Sequence, residues 1–193
     1  MNGLESFLLR SRLESAGFAP TVFRYPSMHA SLGDVKSALS LRLRSFTDLV
    51  HVVAHSLGGL VVLETFAADE NLPPGRIVLL GSPLQGSRAA SAIAQWSIGP
   101  QILGALALRE LCCNCDRRWD RRREIGLVAG SRSAGLGRLF APLPPPNDGT
   151  VCVDETFLPG ATAHRVFDVS HTGMLFSMPV ADAVAHFLRH GSF

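Results

Sequence analysis

The sequence predicts an α/β fold, a mostly parallel sheet with helices on both faces. Three observations carry that prediction. Short apolar runs at 49–54, 76–80, 124–129 and 165–169 alternate with segments of helical spacing, and strands separated by helices build parallel sheets with covered faces. The runs at 49–54 and 76–80 are rich in Val and Leu, as in strands buried on both sides. The first of them passes through Ala54-His55-Ser56-Leu57-Gly58-Gly59 directly into an apolar, helix-compatible segment ending near Ala68.

Taken in order, residues 2–16 carry Leu4, Phe7 and Leu8 at helical spacing, with Gly17 as a stop signal. Phe18–Tyr25 reads as a short strand ended by Pro26. Ser31 is the expected cap of a second helix running to Phe46, with Val35, Leu39, Leu43 and Phe46 on one face. A strand at 49–54 and a helix follow, the helix stopping before Pro73-Pro74-Gly75. Arg76–Leu80 is the next strand, broken by Gly81-Ser82-Pro83, and a helix is expected from Arg88 to Trp96. Residues 98–122 combine Ile102, Leu103, Leu106, Leu108 and Leu111 with the basic run Arg117-Arg118-Trp119-Asp120-Arg121-Arg122-Arg123. That pattern suits either a cap or lid segment or a crossover helix, and a charge run is expected to be a solvated face. Strands at 124–129 and 165–169 flank a loop containing Pro142-Leu143-Pro144-Pro145-Pro146 and Asn147-Asp148-Gly149-Thr150-Val151. A helix over Val180–Arg189 closes the chain. With no repeat, low-complexity tract or linker, residues 1–193 are expected to form one domain.

Composition narrows the function classes. The chain is 47% hydrophobic and 18% charged, with a net charge of only +2, which argues for a globular protein without a nucleic-acid partner. All but one of its 18 basic residues are arginine, a sign of a GC-biased genome. No apolar run approaches the ~20 residues of a membrane span, and no basic-then-apolar leader opens the chain, so a cytoplasmic location is expected. Cys112, Cys113, Cys115 and Cys152 are too crowded for a disulfide framework and lack zinc-site spacing, so no metal site is expected.

The chemistry centres on Ser56. A serine at a sharp strand-to-helix turn, with small residues two positions to either side, is a nucleophile elbow. Here Ala54 stands in the place usually held by Gly, and Gly58 holds the other. A serine hydroxyl is a weak nucleophile and needs a base that a third group orients. Working groups of open α/β sheets sit in loops after the carboxyl ends of strands. His171, in Ser170-His171-Thr172-Gly173 beyond the last strand, is the expected base; His29, His51, His55, His164, His186 and His190 are expected to be structural. Asp148, after the strand at 124–129, is the expected acid, where Asp-Gly permits a sharp turn. Asp168 is its rival, while Asp154 and Glu155 are expected to pair with surface groups. The backbone N–H of Leu57 supplies one oxyanion donor at the start of a helix; the second donor is not assigned.

These pieces, from Ala54-His55-Ser56-Leu57-Gly58-Gly59 through Gly81-Ser82-Pro83 and Asn147-Asp148-Gly149-Thr150-Val151 to Ser170-His171-Thr172-Gly173, together resemble the α/β-hydrolase superfamily, close to small bacterial lipase and esterase-like members. The resemblance implies cofactor-free hydrolysis of a small-molecule ester through an acyl-enzyme, with Ser56 attacking, His171 moving the proton and Asp148 holding the imidazole. It equally covers acyl transfer or thioester cleavage by the same triad, a lipase acting at a lipid surface, and a non-catalytic binding domain. The apolar segment at 98–111 would shape the acyl pocket. The departure is at the front. Members of the superfamily usually begin with a strand ending in His-Gly and a loop that carries the second oxyanion donor. Residues 2–16 resemble the element after that loop, so a shortened N-terminus is expected, the absent strand lying between 18–24 and the elbow strand.

Overall fold

The structure, a computed structural model, describes residues 6–25, 31–97, 99, 104, 107–108, 110–112, 116–120, 123–134 and 143–193. Helices α1 (Phe7–Ser15), α2 (Leu32–Arg44), α3 (Leu57–Ala68), α4 (Arg88–Ala94) and α5 (Met178–His190) surround strands β1 (Val52–His55), β2 (Ile77–Leu80), β3 (Ile125–Gly130) and β4 (Ala163–Phe167). The strands form one parallel sheet in the order β1-β2-β3-β4.

Period-two alternation divides the core between the two faces of the sheet. Ile77, Leu79, Ile125 and Leu127 point to the side covered by α2 and α3, where they meet Val35, Leu39, Leu43, Leu60 and Phe66. Val78, Leu80 and Val128 point to the other side, covered by α1 and α5 through Leu9, Leu13, Val184 and Phe187. Burying a side chain such as Phe187 or Leu60 contributes roughly 1.5–3 kcal/mol. Both faces are therefore needed to hold the sheet. Helix ends follow the sequence signals. Ser31 caps α2 by accepting from the Asp34 N–H, and Ser177 caps α5 by accepting from Val180. Among the described residues no helix is long and apolar enough to cross a membrane.

Four expectations need correction. The segment 18–25 joins no strand; Phe23 and Tyr25 pack inward while Thr21, Val22 and Arg24 face out. It forms no ladder with the described strands, and Pro20 has no N–H to donate. Among the described residues β1, not 18–25, is therefore the edge of the sheet. Among its described residues the basic run is only partly a solvated face. The Arg117 side chain is 10% exposed and bridges Glu110 and Glu64, Trp119 is buried with its indole N–H on the Arg123 carbonyl, and Arg123 stacks on Phe66. Only Arg118 and Asp120, among its described residues, are exposed. Glu155 is buried rather than superficial, accepting the N–H groups of Arg88 and Cys152, while Asp154 does form the expected surface pair, with Arg88. The last strand lies at 163–167, two residues earlier than its apolar residues suggest, which puts His164 inside it and Asp168 beyond it. His29, Cys113, Cys115 and most of 98–122, read from sequence as either a cap or lid or a crossover helix, lie outside the described residues.

Candidate active site

Ser56 joins β1 to α3 and adopts φ 55° and ψ −129°; it is the one non-glycine residue with positive φ among those described. Such a backbone costs on the order of 1–3 kcal/mol and persists only where the surroundings impose it. Here they do. The Ser56 N–H is tied to the Leu80 carbonyl at 2.9 Å, and Gly59 lies so close to Ser82 that a Cβ at 59 would sit 2.0 Å from its Oγ. The tight packing expected at Gly58 thus falls one residue later, since a Cβ at 58 would meet only Ala54 Cβ at 3.7 Å and Tyr25 Oη at 4.0 Å. The Ser56 hydroxyl has no hydrogen-bond partner among the described residues.

The expected acid and base do meet. Asp148 Oδ2 accepts from His171 Nδ1 at 2.7 Å, and the His171 N–H donates to the Asp148 carbonyl at 2.9 Å. The Asp148 side chain is 1% exposed, and its second oxygen accepts the N–H groups of Thr150 and Val151. With all donors aimed at it, the carboxylate must accept from Nδ1–H, which leaves the His171 Nε2 lone pair free to take a proton. Asp168, the rival acid, is instead paired with Arg132 at the surface.

Two glycines make room for this pair. A Cβ on Gly81, at the end of β2, would lie 3.1 Å from His171 Nδ1, and one on Gly130, at the end of β3, would lie 2.8 Å from Asp148 Cβ. The imidazole therefore rests over Gly81, the residue that follows Leu80, to whose carbonyl Ser56 is bonded. This places Ser56, His171 and Asp148 at the carboxyl ends of three adjacent strands. Sequence marked Gly81 as a strand break within Gly81-Ser82-Pro83 but did not mark Gly130, although a glycine closing an apolar strand is a legible signal of close approach.

Leu57 opens α3, so its N–H has no intrahelical partner and lies at the positive end of the helix dipole. Residues 26–30, after the segment 18–25, are outside the described residues. The phenol of Tyr25, near Gly58, is the polar group that sequence inspection missed there, and burial raises its pKa so that it remains a protonated donor. His55 also has a role that neighbouring position alone did not reveal: its Nε2 lies 3.0 Å from the His171 carbonyl oxygen, and the two rings are 4.6 Å apart. Among the described residues no group of three or more His, Cys, Asp or Glu is placed to hold a metal ion.

No family model matches the chain, and no curated protein matches it. Solved structures do. The chain is similar to Bacillus licheniformis lipase BlEst2 in mature form, with TM-score 0.65 and 19% identity over 89% of this chain and 78% of that one. A Paleococcus ferrophilus monoacylglycerol lipase gives TM-score 0.63 and 14% identity, covering 95% and 88%. The pyrethroid hydrolase PytH gives 0.59 and 13%, covering 97% and 93%. At these identities the likeness is one of fold: the chain has an α/β-hydrolase-like fold.

Proposed function

We propose that this protein is a serine-dependent carboxylic ester hydrolase that works through an acyl-enzyme. The observation that carries this is the buried Asp148–His171 pair, 2.7 Å apart, seated over the strand end to which the strained Ser56 turn is bonded. His171 Nε2 takes the Ser56 proton as Oγ attacks the ester carbonyl, and Asp148 stabilises the imidazolium without itself taking the proton. The tetrahedral oxyanion is held by the Leu57 N–H; collapse expels the alcohol, which leaves with the proton from His171. Water then repeats the sequence on the acyl group, freeing the acid and restoring Ser56. Fold neighbours that include two lipases and a pyrethroid hydrolase support this choice of reaction class over others that use an α/β sheet. The substrate is a small-molecule ester, and no cofactor enters the scheme.

The test is covalent labelling. A fluorophosphonate probe should modify the wild-type protein and leave Ser56→Ala unmodified, with turnover of p-nitrophenyl esters lost in parallel. Wild-type protein that resists the probe and turns over no ester would refute the proposal.

A further inference from the structure

We propose that His55 is a positioning residue: its Nε2–H, bonded to the His171 carbonyl, ties the loop that bears the base to the residue preceding the nucleophile. The inference rests on the hydrolase proposal for its kinetic consequence, but the contact itself is independent of it.

A carbonyl oxygen can only accept, so the 3.0 Å contact requires the proton on His55 Nε2. His55 Nδ1 is then an acceptor, shut off from solvent and without a partner among the described residues. A buried nitrogen left unsatisfied is costly, so the site keeps an imidazole there at a penalty that packing alone does not explain. Burial, followed by the nearby His171, lowers the His55 pKa to about 3. The ring is therefore neutral wherever esterases work and adds no second cation beside a protonated His171.

The effect of the bond is geometric. His171 is held through its N–H and Nδ1 by Asp148, and through its C=O by His55. Asp148 belongs to the loop after β3, whereas His55 ends β1 and is covalently joined to Ser56. Without His55, among the described hydrogen bonds of His171, the base would be referenced to β3 alone. With it, base and nucleophile share one rigid strand end. The alternative, a histidine that merely fills space, predicts that any side chain of similar volume will serve.

Gln reaches about as far as Nε2 and keeps a donor; Leu fills the space without one; Asn keeps polarity but is too short. We expect His55→Leu and His55→Asn to slow fluorophosphonate labelling and p-nitrophenyl ester kcat by roughly 10–100-fold, the scale of a 1 Å misplacement, with KM changed less than about 3-fold. His55→Gln should stay within about 5-fold of wild type, as expected for a retained hydrogen bond. A second readout needs no turnover. The low-field Nδ1 proton of His171 in ¹H NMR of the full chain should broaden or shift in His55→Leu and His55→Asn and persist in His55→Gln. Should His55→Leu fail to fold, His55→Asn against His55→Gln decides the matter. Equal rates in all three variants, or an unaltered His171 resonance in those lacking a reaching donor, would overturn the inference. If wild type itself neither labels nor turns over ester, the hydrolase proposal fails while the resonance still judges the His55 bond.

Discussion

On its β2 side, β1 is paired residue by residue from Val52↔Ile77 to His55↔Leu80, and all four β2 side chains are buried. No described strand pairs with its other side, and the four residues of β1 are only half-buried. The same strand end thus has a closed flank and an open one. Everything that orders Asp148 and His171 belongs to the closed flank: Gly81 and Gly130 at the strand ends, the carboxylate satisfied by backbone N–H groups, and the His55 bond. The open flank contributes the Leu57 N–H and the phenol of Tyr25. Pre-organised geometry requires neighbours that cannot move aside, and parallel pairing within a close-packed core supplies them. Where the pairing stops, so does the precision of the site.

The largest effect expected on the closed flank is that of Asp148→Asn. It keeps the shape but favours the wrong imidazole tautomer, and should lower kcat on p-nitrophenyl esters by about 10⁴. A loss under tenfold would mean that the closed flank does not carry the chemistry. The two flanks can also be compared through a matched pair. Val53 and Val78 are register partners that face the same cluster, one partly and one fully buried. Val78→Ala should cost about 2–3 kcal/mol in urea unfolding and Val53→Ala about 1, since transfer and cavity terms both scale with burial. Equal losses would show the open flank to be as well packed as the closed one. The smallest change is expected from Tyr25→Phe, within about 3-fold in kcat; a loss of ~10²–10³ would instead place the phenol in the oxyanion hole and give the open flank a catalytic share.

What the residues announced in advance, and what they did not, divides along a physical line. Local signals were reliable: Ser31 and Ser177 at helix starts, the Val- and Leu-rich runs that became β1 and β2, and the abrupt passage through Ser56 from strand to helix. Chain order, with the rule that working groups follow strand ends, was enough to bring Asp148 and His171 forward over Asp168 and the other histidines. The failures were all of context. Phe18–Tyr25 reads as a strand, but a ladder needs a second chain segment that local residue type does not report. Arg117 and Trp119 look like a solvated charge run until Glu64 and Glu110 arrive from elsewhere to bury the cation. Glu155 looked superficial until two backbone N–H groups were found to need its carboxylate.

Spacing and residue type over a few neighbouring positions were thus enough for the fold class and the turn at Ser56, and they put forward the Asp148 and His171 that the structure pairs. Only the tertiary structure decided that β1 lies at the sheet edge, that Gly59 rather than Gly58 bears the tight contact, and that His55 reaches the carbonyl of His171, 116 residues away. Those facts depend on which distant segments close upon one another, and no local pattern of burial encodes its partner.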